Sequence, residues 1–171
     1  MSLKDLYESG IEYTDFLDSK DLDTKNKVLE IYNNIEIGRD LEDKIKGIDK
    51  EVDIIAFAEI WCPDCMINVP ALEKIHILNP KINFKVVSRE GNENYLDNYA
   101  VDGKPKIPTF IVTDKNEKVL GAFIERPEIV RKVENSGNQV DVIVTKKKYR
   151  KGEFIPHTIK DVLNIIANKN I

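Results

Sequence analysis

Cysteine, histidine and tryptophan are scarce in this 171-residue chain, which has two, two and one of them. So few cysteines exclude a secreted scaffold stapled by several disulfides. A closed zinc site needs four ligands, and only His76, His157 and carboxylates are left to join the two sulfurs, so no metal is expected. Neither sign of charge dominates: the formal net charge of −4 gives no global attraction for nucleic acid or an anionic membrane. No apolar run approaches the length of a membrane span. The chain turns polar at Lys4 and Asp5, so no signal peptide is read there, and a cytoplasmic protein is expected. Its length allows a real core without covalent staples.

The two cysteines stand together, in Trp61-Cys62-Pro63-Asp64-Cys65. An apolar, strand-like run, Ile54-Ile55-Ala56-Phe57-Ala58, leads into them, and a helix-like run leads away. A thiol at that junction meets unpaired backbone N–H groups and the positive end of the helix dipole, both of which favour an anion. The second thiol lies one turn deeper, within reach of the first. That spacing reads as a redox dithiol; a zinc half-site or an inert buried pair is the bland alternative.

Taken in order, residues 3–50 read as helices without chemistry, packed over a sheet edge or face, or else as a docking arm. Residues 52–61 read as a buried strand. A helix follows to about Asn79-Pro80, with Cys65, Val69, Leu72 and Ile75 on its inner face and Pro70 bending it. Ile82 to Val87 reads as a strand and Asn92 to Val101 as a short helix. Phe110 to Val112 and Lys118 to Ile124 form a hairpin across the turn Asp114-Lys115-Asn116-Glu117. Pro127 opens a helix with Ile129, Val130 and Val133 inward. Val140 to Val144 suits strand or helix, and helix is favoured. The cations Lys146 to Lys151 before Gly152 mark a helix C-terminus, a solvated end or a docking surface for an acidic partner. Thr158 with Asp161 reads as the capping box of a last helix.

With Pro70 five residues after the second cysteine and Ile107-Pro108-Thr109 before the hairpin, this pattern resembles the thioredoxin superfamily. The resemblance covers roughly residues 50 to 125 and the C-terminal helix. It implies an α/β, thioredoxin-like three-layer sandwich with a central mixed sheet, carrying an N-terminal helical extension and extra C-terminal helices. The organisation expected is an extension over 1–50 and a thioredoxin-like domain over 51–171, with a helical insertion at about 127–152. The resemblance also implies that Ile107, Pro108 and Thr109 form a cis-proline loop that faces the dithiol and binds substrate. Two departures stand out. Pro63-Asp64 replaces the usual Gly-Pro, and Ala56 stands where family members commonly bury an acid that relays a proton to the second cysteine.

The chemistry expected is thiol–disulfide exchange, with Cys62 as nucleophile and Cys65 resolving the mixed disulfide. Trp61, Pro63 and Asp64 shape the site, and Trp61 offers a flat apolar surface for docking. A free cysteine titrates at about 8.5, so the helix must lower the pKa of Cys62; Asp64 opposes part of that lowering, which argues for a reductant over an oxidant. No cofactor is implied. The expected partners are disulfide-containing proteins or small molecules and a thiol reductase as electron donor, without nucleic acid or membrane. A thioredoxin-fold binding or adaptor module with little turnover is the second class, and a disulfide isomerase or oxidant the third.

Overall fold

The computed structural model describes residues 2–168. Residue 1, at the start of the range 1–50, and residues 169–171, at the end of the range 51–171, therefore lie outside the described residues. Four helices come first: α1 (Leu3–Glu8), α2 (Tyr13–Leu17), α3 (Leu22–Asn33) and α4 (Arg39–Lys46). Ser2 and Asp5 form a reciprocal capping box on α1, and Asp21 caps α3 through the Thr24 N–H at 2.8 Å. Strand β1 (Val52–Phe57), helix α5 (Pro63–Leu78) and strand β2 (Ile82–Val87) come next. A 3₁₀ helix (Glu93–Tyr99) leads to strands β3 (Thr109–Asp114) and β4 (Val119–Ile124), and α6 (Glu128–Glu134), α7 (Gln139–Arg150) and α8 (Ile155–Ile166) close the chain.

The strands make one mixed sheet in the order β2-β1-β3-β4. β1 runs parallel to β2 with Ile54 opposite Phe84, and antiparallel to β3 with Ile54 opposite Val112. In β1, Ile54, Ile55, Ala56 and Phe57 are all at most 1% exposed. Consecutive strand residues point to opposite faces, so the sheet is covered on both sides. One cover is α5, whose His76 ring meets Phe84 edge-on, joined by α8. The other includes α1, whose Tyr7 hydrogen-bonds Asp53 on the opposite face of β1. Each fully buried aliphatic side chain here stabilises the fold by about 1.5–3 kcal/mol relative to exposure.

Two contacts explain how the N-terminal helices attach. Ile11 exchanges two 2.8 Å backbone hydrogen bonds with Val86, which occupies part of the free edge of β2. The buried Asn79 donates to the carbonyls of Ile45 (2.8 Å) and Ile48 (2.9 Å), tying the end of α4 to the end of α5. On the far side α8 lies so close to β4 that a Cβ on Gly121 would stand 3.0 Å from Ile165 Cγ2.

Several elements differ from the sequence reading. β1 stops at Phe57 rather than continuing to residue 61, because the backbone turns there, with the Glu59 carbonyl accepting the Cys62 N–H at 3.0 Å; the Glu59 carboxylate meanwhile accepts from the Ser88 hydroxyl (2.7 Å) and the Arg89 N–H (3.0 Å). The short helix read over 92–101 is a 3₁₀ helix confined to Glu93–Tyr99, and it buries only Leu96. In α6 Val130 alone is buried, while Ile129 is exposed and Val133 is half-buried. Thr158 and Asp161 do not cap α8, which starts earlier with Pro156 in its first turn. Asp161 instead accepts the Glu128 N–H at 2.7 Å and so caps α6 from a neighbouring helix. Residues 139–150 are helical, and Gly152 follows at φ +80°, a backbone conformation glycine adopts without a Cβ clash.

Candidate functional site

Cys62 is the N-cap of α5, with extended backbone (φ −80°, ψ 121°), and Pro63 takes the first helical position, where its missing N–H has no partner to lose. Both cysteines are free thiols. Cys62 is 7% exposed and Cys65 fully buried, one turn into the helix beside Val69, Leu72 and Ile75 on the core side.

Their ionisation differs accordingly. The hydrogen bond from Cys65 lowers the Cys62 pKa to about 7; burial opposes this, the N–H groups of Cys65 and Asp64 add to it, and the charge of Asp64 opposes it. Burial raises the Cys65 thiol well above its ordinary value, and its hydrogen bond and charge contact with Cys62 raise it further. One sulfur is thus readily ionised and the other holds its proton, as an ordered two-step exchange needs.

The loop 107–109 faces this pair. The Ile107–Pro108 peptide is cis, and the Cys62 thiol lies 3.6 Å from the Ile107 carbonyl oxygen. Pro108 is buried, and its carbonyl accepts the Glu125 N–H at 2.7 Å. Thr109 is fully buried and its hydroxyl donates to the Lys106 carbonyl at 2.8 Å, so it closes the loop from inside. Trp61 is 53% exposed at the rim. The helix N-terminus, the dithiol and the Ile107–Pro108 loop therefore form one site.

Other predicted features lie apart. Ala56 is fully buried in β1 and carries no acid toward Cys65. The Glu59 carboxylate serves the Ser88–Arg89 turn, and only its backbone reaches the Cys65 thiol. His76 meets the Ile82 carbonyl at 2.9 Å, away from the sulfurs. Among the described residues, no group of three or more His, Cys, Asp or Glu is placed to hold a metal ion, and no helix is long and apolar enough to cross a membrane.

Sequence reasoning missed the polar support behind the motif. Asn68 is fully buried in α5, and its amide nitrogen lies 2.9 Å from the Asp64 carbonyl, 3.2 Å from the Glu125 carbonyl and 2.7 Å from the Tyr149 hydroxyl. Its amide oxygen accepts from the Thr158 hydroxyl at 2.6 Å. An asparagine amid Ile67, Val69, Ala71 and Leu72 on an apolar helix was the available signal. Arg126, just after β4, grips Asp64 with two bonds of 3.1 Å. Nothing in its local sequence points 62 residues back.

A thiol at a helix N-terminus, its partner one turn deeper and a cis-proline loop opposite, on a mixed sheet covered by helices, define a thioredoxin-like thiol site. The chain belongs to the thioredoxin family: the family model described as thioredoxin matches residues 10–142, a span that starts within the N-terminal helices. Thioredoxin from Mycoplasmopsis pulmonis (strain UAB CTIP) is 32% identical over 88 residues, covering 48% of this chain and 78% of that protein. Among solved structures, a protein of unknown function from Pseudomonas aeruginosa is similar at TM-score 0.86 and 26% identity over 99% of both chains. An HIV epitope scaffold is similar at TM-score 0.84 and 26% identity over 98% of both. At that coverage the likeness takes in the N-terminal helices and α6–α7. Family and fold support a thiol–disulfide oxidoreductase-like role.

Proposed function

We propose that this protein reduces disulfides through the Cys62-Pro63-Asp64-Cys65 dithiol. The observation that carries the reading is the asymmetry of the pair: Cys62 at the mouth of α5 with its pKa lowered to about 7, and Cys65 buried behind it with its proton held. The Cys62 thiolate attacks one sulfur of a substrate disulfide; that S–S bond breaks, a mixed disulfide forms, and the departing substrate sulfur takes a proton. Cys65 then gives up its proton and attacks Cys62 Sγ, and the second substrate sulfur leaves as a thiol. Two electrons pass to the substrate and a Cys62–Cys65 disulfide remains, which a thiol reductase returns to the dithiol. The backbone at Ile107 and Pro108 pairs with an extended substrate segment, with Thr109 shaping the loop from inside and Trp61 as the apolar landing surface. The substrates are disulfide-containing proteins or small molecules, and the reaction belongs to the cytoplasm, where a reductant has a thiol supply.

One observation favours a second reading, a thioredoxin-fold binding module with little turnover. Ala56 brings no acid to Cys65, and Glu59 is engaged elsewhere, so the proton of the resolving thiol has no relay from either. Insulin-disulfide reduction with dithiothreitol or a thiol reductase separates the two. Turnover above a Cys62→Ser control supports the reductase; turnover equal to the control supports the binding module. A Cys65→Ser variant holds the mixed disulfide and lets bound partners be identified by mass spectrometry.

A further inference from the structure

Asp64 is the one charged residue between the two sulfurs, and it is gripped from outside the motif. Arg126 Nε donates to Asp64 Oδ1 and Nη2 to Oδ2, both at 3.1 Å, a two-pronged pairing that only a guanidinium makes. Both side chains are largely shielded, at 25% and 17% exposure, so the pairing is screened less than a surface ion pair. The remaining prong, Nη1, donates to Glu134 of α6 at 2.7 Å.

The arginine's backbone is equally fixed. Glu125, before it, sits at φ +60°, donates its N–H to the Pro108 carbonyl and offers its carbonyl to Asn68. The Arg126 N–H donates to the Ile124 carbonyl at 2.7 Å. The residue is thus anchored to the loop that faces the dithiol, while its side chain reaches the first turn of α5. A carboxylate in that turn opposes a thiolate on the adjacent N-cap; a cation fixed on the carboxylate removes most of that opposition.

We propose that Arg126 is a positioning residue of the dithiol: by clamping the Asp64 carboxylate it keeps that charge from opposing the Cys62 thiolate, and so sets the nucleophile's ionisation and its reducing power. The proposal rests on Cys62 being the attacking thiolate. The groups concerned are few. Cys62 faces Cys65 and Asp64. Asp64 faces Arg126 and Tyr149. Arg126 faces Glu134 and, at 3.8 Å, Glu125. Lys146 lies 3.6 Å from Glu134, and Lys106 3.8 Å from Glu125. On this view α6 and α7 hold the clamp, which gives the added helices a task at the site.

The test is a double-mutant cycle read as iodoacetamide alkylation of Cys62 against pH, with the reduction potential measured against glutathione. Arg126→Met is expected to raise the alkylation midpoint and slow alkylation at pH 7 by roughly fivefold, the drop in thiolate fraction that a rise of about one pH unit from near 7 brings. It also makes the dithiol more reducing, because the thiolate of the reduced form loses stabilisation. In the Asp64→Asn background the same change has no effect on the midpoint. Arg126→Lys, which keeps the charge and loses the fork, gives a smaller shift of the same sign and carries the comparison should Arg126→Met not fold. An unmoved midpoint, or an equal shift with and without Asp64, overturns the proposal. A wild-type midpoint at the ordinary thiol value overturns the redox reading itself, and shows before any Arg126 variant is measured.

Discussion

The Cys62 thiol and the Ile107 carbonyl oxygen, 45 residues apart in sequence, stand 3.6 Å apart in space. One belongs to the N-cap of α5 and the other to the loop entering β3. The contact exists because β3 lies beside β1, with Phe57 opposite Thr109, so the end of one strand delivers the thiol and the start of the other delivers the carbonyl. On the proposed function, a substrate segment laid along Ile107 would be carried past the sulfur that attacks it.

The first prediction concerns pH. Iodoacetamide should modify Cys62 with a rate that rises through about pH 7, whereas Cys65 stays unmodified in the folded protein because burial both shields it and holds its proton. Linkage has the same sign. The fold favours the Cys62 thiolate, so this group's contribution to stability is fully present above the ordinary free-thiol value and is lost as pH falls through about 7. A Cys62 midpoint near 9 contradicts the site as described.

The second concerns Asn68, which joins α5 to the Glu125 turn, to α7 through Tyr149 and to α8 through Thr158. Asn68→Ala strips partners from several buried polar groups at once and should cost about 2–4 kcal/mol. Urea unfolding monitored by far-ultraviolet circular dichroism gives the number from the shift in midpoint at constant slope. A loss under about 0.5 kcal/mol, the range of an ordinary surface substitution, removes the asparagine from its place as a structural hub.

The third compares two ways of reading α7. Its apolar stripe is exposed, with Val140, Ile143 and Val144 at 69%, 68% and 48%, and Tyr149 is the buried residue that docks the helix. Replacing the three aliphatics by serine should therefore change stability by less than about 1 kcal/mol, whereas Tyr149→Ala should cost about 3 kcal/mol or more. Thermal melts of the two variants decide it, and a reversed order refutes the packing described for α7.

That helix also shows where sequence reading reaches its limit. Periodicity reports which residues share a face, and it placed Cys65, Val69, Leu72 and Ile75 together on the buried side of α5. It does not report whether another element comes to cover a face, which is why Ile129, read as inward, is exposed, and why the helix read over Val140 to Val144 carried no sign that its stripe stays uncovered. The paired cysteines were legible because Cys-x-x-Cys is a short local pattern with its own chemistry, and the Ile107-Pro108-Thr109 loop was legible only through the family resemblance. Arg126, Asn68 and the cap that Asp161 supplies to α6 were not, since each acts across tens of residues and only the fold brings the partners together. The Thr158–Asp161 spacing imitates a local cap, yet both side chains serve other helices.

The last prediction separates docking from chemistry at Trp61. At 53% exposure its ring contributes little to the core, so Trp61→Ala should leave the melting temperature within a few degrees of the parent. If the ring is the surface on which a protein substrate lands, the same change should lower kcat/KM for insulin several-fold through KM, because what is lost is binding that ground and transition states share. A small disulfide such as 5,5′-dithiobis(2-nitrobenzoic acid) meets the sulfur without needing that surface, and its rate should hold. Equal losses on both substrates place the ring's effect on the Cys62 thiolate instead, and the pH profile of alkylation then shifts with it.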